Sequence, residues 1–88
     1  MKSIRRSTQF KKDYKRVKKS GKDLEKLQQV IYQLVNDESL DPKYYDHVLV
    51  GNYVNCRECH IEPDWLLIYK NPTDELVLVR TGPHSELF

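Results

Sequence analysis

The first stripe of apolar positions in the chain predicts a helix with a narrow hydrophobic face. Its members lie at positions i, i+4 and i+7, namely Phe10, Tyr14 and Val17. Ser7 or Thr8 is a suitable N-cap, because a side-chain hydroxyl can accept from the free N–H groups of the first turn. The helix is expected to run to about Ser20, with Gly21 as its C-capping glycine. Most of its other residues are lysine or arginine.

A second and wider apolar face predicts a helix from Asp23, its N-cap, to about Asn36. That face consists of Leu24, Leu27, Val30, Ile31 and Leu34. Two helices joined by a glycine turn form an antiparallel hairpin. Neither has enough apolar surface to be stable alone, so both are expected to pack on another part of the chain.

The second half of the chain predicts strands, because short β-prone segments alternate with turn residues. The expected strands are His47–Val50, Val54–Ile61, Trp65–Lys70 and Glu75–Thr81. The turn signals between them are Gly51-Asn52, Glu62-Pro63 and Asn71-Pro72. Such short connections predict antiparallel neighbours. Residues Lys2–Arg5 are expected to add one more short strand to the sheet.

These elements predict an α+β domain over residues 1–88. Two N-terminal antiparallel helices would pack on one face of a mainly antiparallel sheet of four to five strands, and the other face would be open to solvent. Period-two alternation along the last strand places Leu76, Leu78 and Arg80 on one face, and Val77, Val79 and Thr81 on the other. Arg80 would therefore end an apolar row.

The distribution of charge adds a candidate partner. Ten of the fifteen Lys and Arg residues lie in Met1–Lys22, and the single acid among them is Asp13. A basic block of this kind favours a polyanion such as RNA, or an acidic protein segment, although it is equally typical of a solvated helix face. No apolar run exceeds Trp65–Tyr69, and nothing resembles a signal peptide, so a soluble cytoplasmic protein with no membrane partner is expected.

Cys56 and Cys59 form a C-x-x-C spacing followed by His60, which could indicate a redox pair, half a zinc site or a haem attachment motif. There is no second C-x-x-C, no helix that the motif would open, and no export signal. In a strand the two thiols would also point to opposite faces. We therefore expect ordinary strand residues and no metal.

The Glu62-Pro63 turn brings a possible proton-transfer pair together. His60 precedes the turn and Asp64 follows it, so a hairpin would place an imidazole and a carboxylate close together where its two strands meet the turn. A carboxylate can hold the tautomer of a nearby histidine, which titrates near neutral pH. A turn also tolerates such residues without any function.

Several motifs, taken in order, resemble one known family. They are a basic helix, a leucine-bearing helix, Asp46-His47, Gly51, Arg57-Glu58, the stretch HIEPDWLLIY that starts at His60, and RTGxHxxLF from Arg80 to Phe88. Their order resembles the YafQ-like branch of the RelE/ParE type II toxin superfamily over essentially the whole chain. The last two stretches are the most specific.

The resemblance implies a RelE-like fold and a bacterial type II toxin. Such a toxin is a metal-independent endoribonuclease without a cofactor; it enters the A site of the 70S ribosome, cuts translated mRNA and is held inactive by a cognate antitoxin. Carried over by position, the functional residues are His47, Glu58, His60, Asp64, Trp65, Arg80, His84 and Phe88. Lys11, Lys15 and Lys18 of the basic helix would bind the rRNA backbone.

These residue types suit RNA cleavage by the 2′-hydroxyl, which needs a base, a cation at the phosphate and an acid at the leaving oxygen. We expect Asp64 with His60 to act as or orient the base. Arg80 would grip the phosphate and His84 would be the acid. His47 would be a second proton-transfer or phosphate-binding group. Trp65 and Phe88 offer faces for base stacking.

Other interpretations stay open at the level of sequence. Trp65 could belong to the core, Phe88 could tether the C-terminus, and Arg80 could form a structural ion pair with Glu58. The chain could also be a toxin of the same fold directed at gyrase, although such a toxin needs no acid–base set. A further alternative is a binding module for RNA or an acidic peptide without catalysis.

Overall fold

The computed structural model describes residues 2–88, with Met1 outside the described part. The strands are β1 (Ser3–Arg6), β2 (His47–Val48), β3 (Arg57–Glu62), β4 (Trp65–Lys70) and β5 (Glu75–Gly82). The helices are α1 (Thr8–Lys19), α2 (Leu24–Val35) and α3 (His84–Leu87), and two short 3₁₀ helices cover Pro42–Tyr44 and Gly51–Tyr53. Within residues 2–88 no helix has the length and apolar character needed to cross a bilayer.

Both long helices begin at the expected caps. The Ser7 side chain accepts from the Phe10 N–H at 2.9 Å, which makes Ser7 rather than Thr8 the N-cap of α1. The Asp23 side chain accepts from the Glu25 N–H at 3.1 Å at the start of α2. Gly21 adopts a φ of 81°, a left-handed conformation that glycine adopts readily, and so ends the first helix. Polar N-caps thus set where both helices begin, and Gly21 sets where α1 ends.

The sheet has five strands in the order β1-β5-β4-β3-β2. Strands β2 to β5 form the expected antiparallel meander, while β1 pairs in parallel with β5 from Ser3 opposite Glu75 to Arg6 opposite Leu78. The α+β fold class is therefore confirmed. The helices are not the first elements of the chain, however, because β1 precedes α1.

Two predicted strands are shorter than expected. Strand β2 ends at Val48, and β3 begins at Arg57 instead of at Val54. The 3₁₀ helix at Gly51–Tyr53 lies between them, and Asn55 has a φ of 70°. A left-handed residue interrupts the pleat of a strand, so this β-prone segment cannot continue the ladder.

The main core lies between the helices and one face of the sheet. Its buried members include Phe10, Val17, Leu27, Val30, Leu34, Cys59, Trp65, Leu67, Leu76 and Leu78. The opposite face is not open as expected, because a second cluster of Cys56, Leu66, Ile68 and Leu87 covers part of it with Leu49, Tyr53 and Val79. Cys56 and Cys59 face opposite sides and both are free thiols, but only Cys59 is a strand residue, because β3 begins at Arg57.

A β-bulge reverses the predicted faces at the end of β5. Leu78 lies opposite Tyr69 but Arg80 lies opposite Ile68, so Val79 is an extra residue in the ladder. Arg80 consequently shares the face of Ile68 and the second cluster, while Thr81 lies opposite Leu67 on the helix side. The prediction that Arg80 ends the row of Leu76 and Leu78 is wrong, because simple alternation does not anticipate a bulge.

Trp65 belongs to the main core. Its side chain is fully buried, and the indole Nε1–H donates to Thr81 Oγ1 at 3.0 Å. The Thr81 hydroxyl in turn donates to the Leu66 carbonyl at 2.8 Å. Since the ring faces no solvent, the proposed base-stacking role of Trp65 does not fit this structure, and the core interpretation does.

We expect Trp65→Ala to lower the free energy of unfolding by about 3–5 kcal/mol, because it removes a large buried ring and leaves a cavity. Tyr32→Ala, which removes a 63% exposed ring from α2, is the matched control and should change it by no more than about 0.5 kcal/mol. Urea unfolding followed by far-UV circular dichroism measures both. Equal effects of the two substitutions would contradict the assignment of Trp65 to the core.

Candidate functional site

A row of polar side chains crosses the face of the sheet opposite the long helices. His47 lies opposite Glu58, Glu58 opposite Ile68, and Ile68 opposite Arg80. Neighbouring strands are about 4.8 Å apart, so Glu58 and Arg80 stand about 10 Å apart across β4. We call His47, Glu58 and Arg80 the polar row.

Glu58 joins two histidines at one end of the polar row. Its carboxylate is buried, and Oε1 lies 3.2 Å from His60 Nε2 and 3.5 Å from His47 Nε2. The two imidazole centroids are 6.3 Å apart. A buried carboxylate needs polar partners, and here both are groups that can take up or release a proton. We call His47 and His60 the histidine pair.

Hydrogen bonds to Asp46 and Tyr45 hold the segment that carries His47 in place. The Tyr69 hydroxyl donates to Asp46 Oδ1 at 2.7 Å, and Arg57 Nε donates to the same oxygen at 3.2 Å. Burial raises the pKa of Tyr69, and the hydrogen bond to Asp46 raises it further, so the hydroxyl keeps its proton. The His47 Nδ1–H donates to the Tyr45 carbonyl at 2.7 Å, which fixes the orientation of the ring. Hydrogen bonds to the preceding residue, Asp46, and to the His47 ring itself therefore hold His47 in place.

Arg80 is paired with Asp13, a residue that the sequence did not indicate as part of the site. Asp13 of α1 is 1% exposed, and its carboxylate accepts from Arg80 Nε at 2.9 Å and from Arg80 Nη2 at 3.1 Å. The alternative pairing of Arg80 with Glu58 is wrong. The available signal was that Asp13 is the lone acid of a basic segment and lies three residues after Phe10, on the apolar face of the helix.

Asp13 also accepts a hydrogen bond from a backbone N–H at the edge of the sheet. Strand β1 ends opposite Leu78, so the last residues of β5 have no strand on that side, and the Thr81 N–H donates to Asp13 Oδ2 at 3.2 Å. Gln9 donates to the other oxygen at 3.1 Å. Burial alone would raise the pKa of Asp13, but the hydrogen bonds from Arg80, Gln9 and Thr81 outweigh it and hold the pKa below its usual 3.8. The hydrogen bond from Arg80 to Asp13 correspondingly raises the pKa of Arg80.

His84 lies at the start of α3, beyond the end of β5. Its ring stacks on Phe88 with centroids 4.8 Å apart, and the Tyr53 ring contacts Phe88 edge-on at 5.3 Å. Phe88 is 54% exposed, so part of its surface is available to a ligand. The Tyr53 hydroxyl donates to the Leu87 carbonyl at 2.8 Å, which secures α3 to the segment before β3. No sequence pattern predicts this role of Tyr53.

Asp64 is associated with His84 rather than with His60. Asp64 Oδ1 accepts a hydrogen bond from the backbone N–H of His84 at 3.3 Å. Among residues 2–88 no hydrogen bond or ion pair joins Asp64 to His60, and Glu58 takes the place that Asp64 was expected to fill. The reason is that Glu58 and His60, two residues apart in β3, share one face, whereas Asp64 lies in the turn after it.

A family model described as the bacterial toxin YafQ of a type II toxin–antitoxin system matches residues 2–88. The chain belongs to this family. It is 42% identical over 86 residues to the mRNA interferase toxin YafQ of Escherichia coli K12, a match that spans 97% of this chain and 94% of the relative.

Solved structures agree with the family assignment. A metal-bound toxin from Helicobacter pylori has a TM-score of 0.93 at 46% identity, with both chains covered completely. A chain of the Escherichia coli DinJ–YafQ complex has a TM-score of 0.93 at 40% identity, with 100% of this chain and 99% of that chain covered.

In this YafQ-family chain the expected site residues lie in different regions of the fold. Glu58, the histidine pair and Arg80 share one face of the sheet, with His84, Phe88 and Asp64 beyond its end. Lys11, Lys15 and Lys18 are exposed on α1. Among residues 2–88 no group of three or more His, Cys, Asp or Glu side chains is arranged to hold a metal ion.

We expect Asp13→Ala to lower the free energy of unfolding by about 3–5 kcal/mol near neutral pH, because it leaves the Arg80 guanidinium without its carboxylate. The folded-state pKa of Asp13 is lowered, so its stabilising effect is present above the unfolded-state pKa and is lost as pH falls through the folded-state pKa. The difference between wild type and variant should therefore shrink below about pH 4. Urea unfolding at a series of pH values measures it.

The matched control is Glu86→Ala, which breaks an exposed ion pair between Arg16 of α1 and Glu86 of α3 with an N–O distance of 3.0 Å. An exposed pair contributes about 0–1 kcal/mol. If Asp13→Ala were no more destabilising than Glu86→Ala, the structural importance of the buried pair would be refuted.

Proposed function

We propose that this chain is the toxin of a type II toxin–antitoxin system and acts as an endoribonuclease on mRNA. Membership of the YafQ family and the 42% identity to a protein named an mRNA interferase support the class of reaction. The observation that carries the proposal is the polar row. A buried carboxylate that contacts two histidines lies on the same sheet face as an arginine, about 10 Å away.

In the proposed reaction the 2′-hydroxyl of the substrate attacks the adjacent phosphorus. His60, positioned by Glu58, takes the proton from that hydroxyl as a new bond forms between the 2′-oxygen and phosphorus. Glu58 replaces Asp64 as the residue that orients the base. His47 contacts the same carboxylate and is the second proton-transfer or phosphate-binding group.

Arg80 stabilises the negative charge that develops on the phosphate. Asp13 engages Nε and Nη2 of the guanidinium, which fixes its plane, and the group retains further N–H donors for phosphate oxygens. A donor group held in place before the reaction needs no reorganisation as charge develops. Asp13 thus acts on the reaction through Arg80.

His84 protonates the 5′-oxygen as the bond between that oxygen and phosphorus breaks. It is an exposed histidine at the start of α3, where stacking on Phe88 fixes its ring and Asp64 accepts its backbone N–H. The exposed part of Phe88 can contact a nucleobase beside the cleaved bond. Each proposed step uses a protein side chain as the proton acceptor, the proton donor or the phosphate ligand.

Two partners complete the proposal. The exposed lysines Lys11, Lys15 and Lys18 recur at intervals of four and three residues on α1, so they lie on one helix face that suits the rRNA backbone in the ribosomal A site. A cognate antitoxin is the second partner, since the related YafQ toxin of Escherichia coli has been solved in complex with DinJ.

We expect His84→Ala to abolish growth arrest on induced expression and to slow cleavage of a translated reporter mRNA by about 10²–10⁴-fold, because the leaving oxygen loses its acid. Primer extension on mRNA from the induced cells detects the cuts. Tyr32→Ala, on the exposed face of α2, should arrest growth and cut mRNA like the wild type. Growth arrest by His84→Ala without any cuts from either protein would contradict the ribonuclease function.

The basic face of α1 should act through salt-dependent attraction. Replacing Lys11, Lys15 and Lys18 together by Gln is expected to reduce the slope of log affinity against log salt concentration for ribosome binding by about 2–3, since each phosphate contact contributes about 0.7–0.9. Co-sedimentation with 70S ribosomes at several KCl concentrations measures the slope. The matched triple change to Arg should preserve it. An unchanged slope in the Gln variant would show that this face is merely solvated.

A further inference from the structure

A groove of about 980 Å³ opens beside the histidine pair, between α2 and the strand β3. His47 and His60 form one of its walls, and the Pro42–Tyr44 turn with Tyr45 forms another. The groove is therefore continuous with the groups that carry out proton transfer in the proposed function, although none of those steps uses it.

Tyr45 projects from the rim of this groove. Its side chain is 70% exposed, and its ring meets the His60 ring edge-on with centroids 5.8 Å apart. A large aromatic side chain that remains exposed next to a proton-transfer group has a free face on which a planar ligand can stack. The main core contains Tyr44 at its margin but not Tyr45.

The backbone at Tyr45 is held in an unfavourable conformation. Its φ of 50° and ψ of 43° are left-handed, a region that costs a bulky residue free energy. Three contacts maintain this conformation. The Tyr45 N–H donates to the Pro42 carbonyl at 3.0 Å, and the Tyr45 carbonyl accepts a hydrogen bond from His47. The next residue, Asp46, accepts a hydrogen bond from the Tyr69 hydroxyl. The contacts that fix His47 therefore also fix Tyr45.

The charge around the groove favours an anionic occupant. Lys26 and Lys43 line it, and its carboxylate, Glu62, lies 2.9 Å from Lys26 and 3.5 Å from Lys22, so three lysines face one acid. Lys43 Nζ lies 5.2 Å from the centre of the Tyr44 ring. Lysines that line one groove with an exposed aromatic face, here that of Tyr45, are the combination that binds single-stranded nucleic acid through both phosphate and base.

We propose that this groove is a nucleotide subsite for mRNA, in which Tyr45 stacks on the base of a nucleotide next to the cleaved bond and Lys26 and Lys43 contact its phosphate. The inference rests on the proposed ribonuclease function and adds to it a place for a base on the side of His60. The left-handed Tyr45 is then a binding residue that fixes the position of a nucleotide beside the histidine pair.

Single-turnover cleavage of mRNA on programmed 70S ribosomes tests the subsite, with toxin concentration varied to obtain the half-saturating concentration and the limiting rate. Tyr45→Gly removes the ring while glycine accepts a φ of 50°, so it should not lower the melting temperature. We expect it to raise the half-saturating concentration by about 5- to 100-fold, the range for loss of one stacked base. Tyr45→Phe should restore wild-type saturation.

The matched control is Tyr32→Ala, which removes a similarly exposed ring from outside the groove and should saturate like the wild type. A second arm uses mRNAs with an abasic position at each nucleotide around the cut in turn. Tyr45→Gly should lose its effect at the one position whose base stacks on Tyr45.

The outcomes separate the two proposals. If the wild type cuts mRNA but Tyr45→Gly saturates at the same concentration, or weakens every abasic substrate equally, the subsite is refuted and the ribonuclease function stands. If Tyr45→Gly cuts normally but binds purified antitoxin more weakly, the groove is a protein-docking surface and the subsite is also refuted. Absence of cleavage by the wild type overturns both.

Discussion

A single buried carboxylate ties the candidate site to the rest of the fold. Asp13 accepts hydrogen bonds from the Arg80 side chain, the Thr81 backbone and Gln9, so one side chain of α1 satisfies both a strand edge and a guanidinium. Thr81 in turn accepts from Trp65 in the core. Because a buried charge is tolerable only when its partners are complete, the position of Arg80 is fixed by the same bonds that hold α1 against β5.

The bulge at Val79 gives that carboxylate its two partners on β5, Arg80 and Thr81. It turns Arg80 toward the face that carries Glu58 and the histidine pair, while Thr81 stays on the helix side and meets Trp65. Without the extra residue, alternation would send Arg80 toward the main core. A bulge of this kind is a local departure from regular pairing that places one side chain where the chemistry needs it.

Local signals were enough to predict most of the fold. The Ser7 and Asp23 caps, the apolar stripes of the helices and the Glu62-Pro63 turn each act over a few residues, and the order of the meander follows from short connections. The site was predictable only as a set of residue types. Asp13 and Arg80 are 67 residues apart, and no local pattern states that they meet. The contact of His60 with Glu58 rather than with Asp64, in contrast, is local, because alternation places residues 58 and 60 on one face of β3.

Exposure then decides which aromatic residues can touch a substrate. Trp65 is fully buried, Phe88 is 54% exposed beside His84, and Tyr45 is 70% exposed beside His60. Sequence alone ranks a tryptophan in a conspicuous motif above a tyrosine in a polar connector, since it shows residue type but not accessible surface. The two exposed rings flank the two histidines to which acid and base roles are assigned. An RNA strand crossing the polar row from His60 to His84 would therefore meet an aromatic face at each end, which restricts the position of the phosphate relative to Arg80.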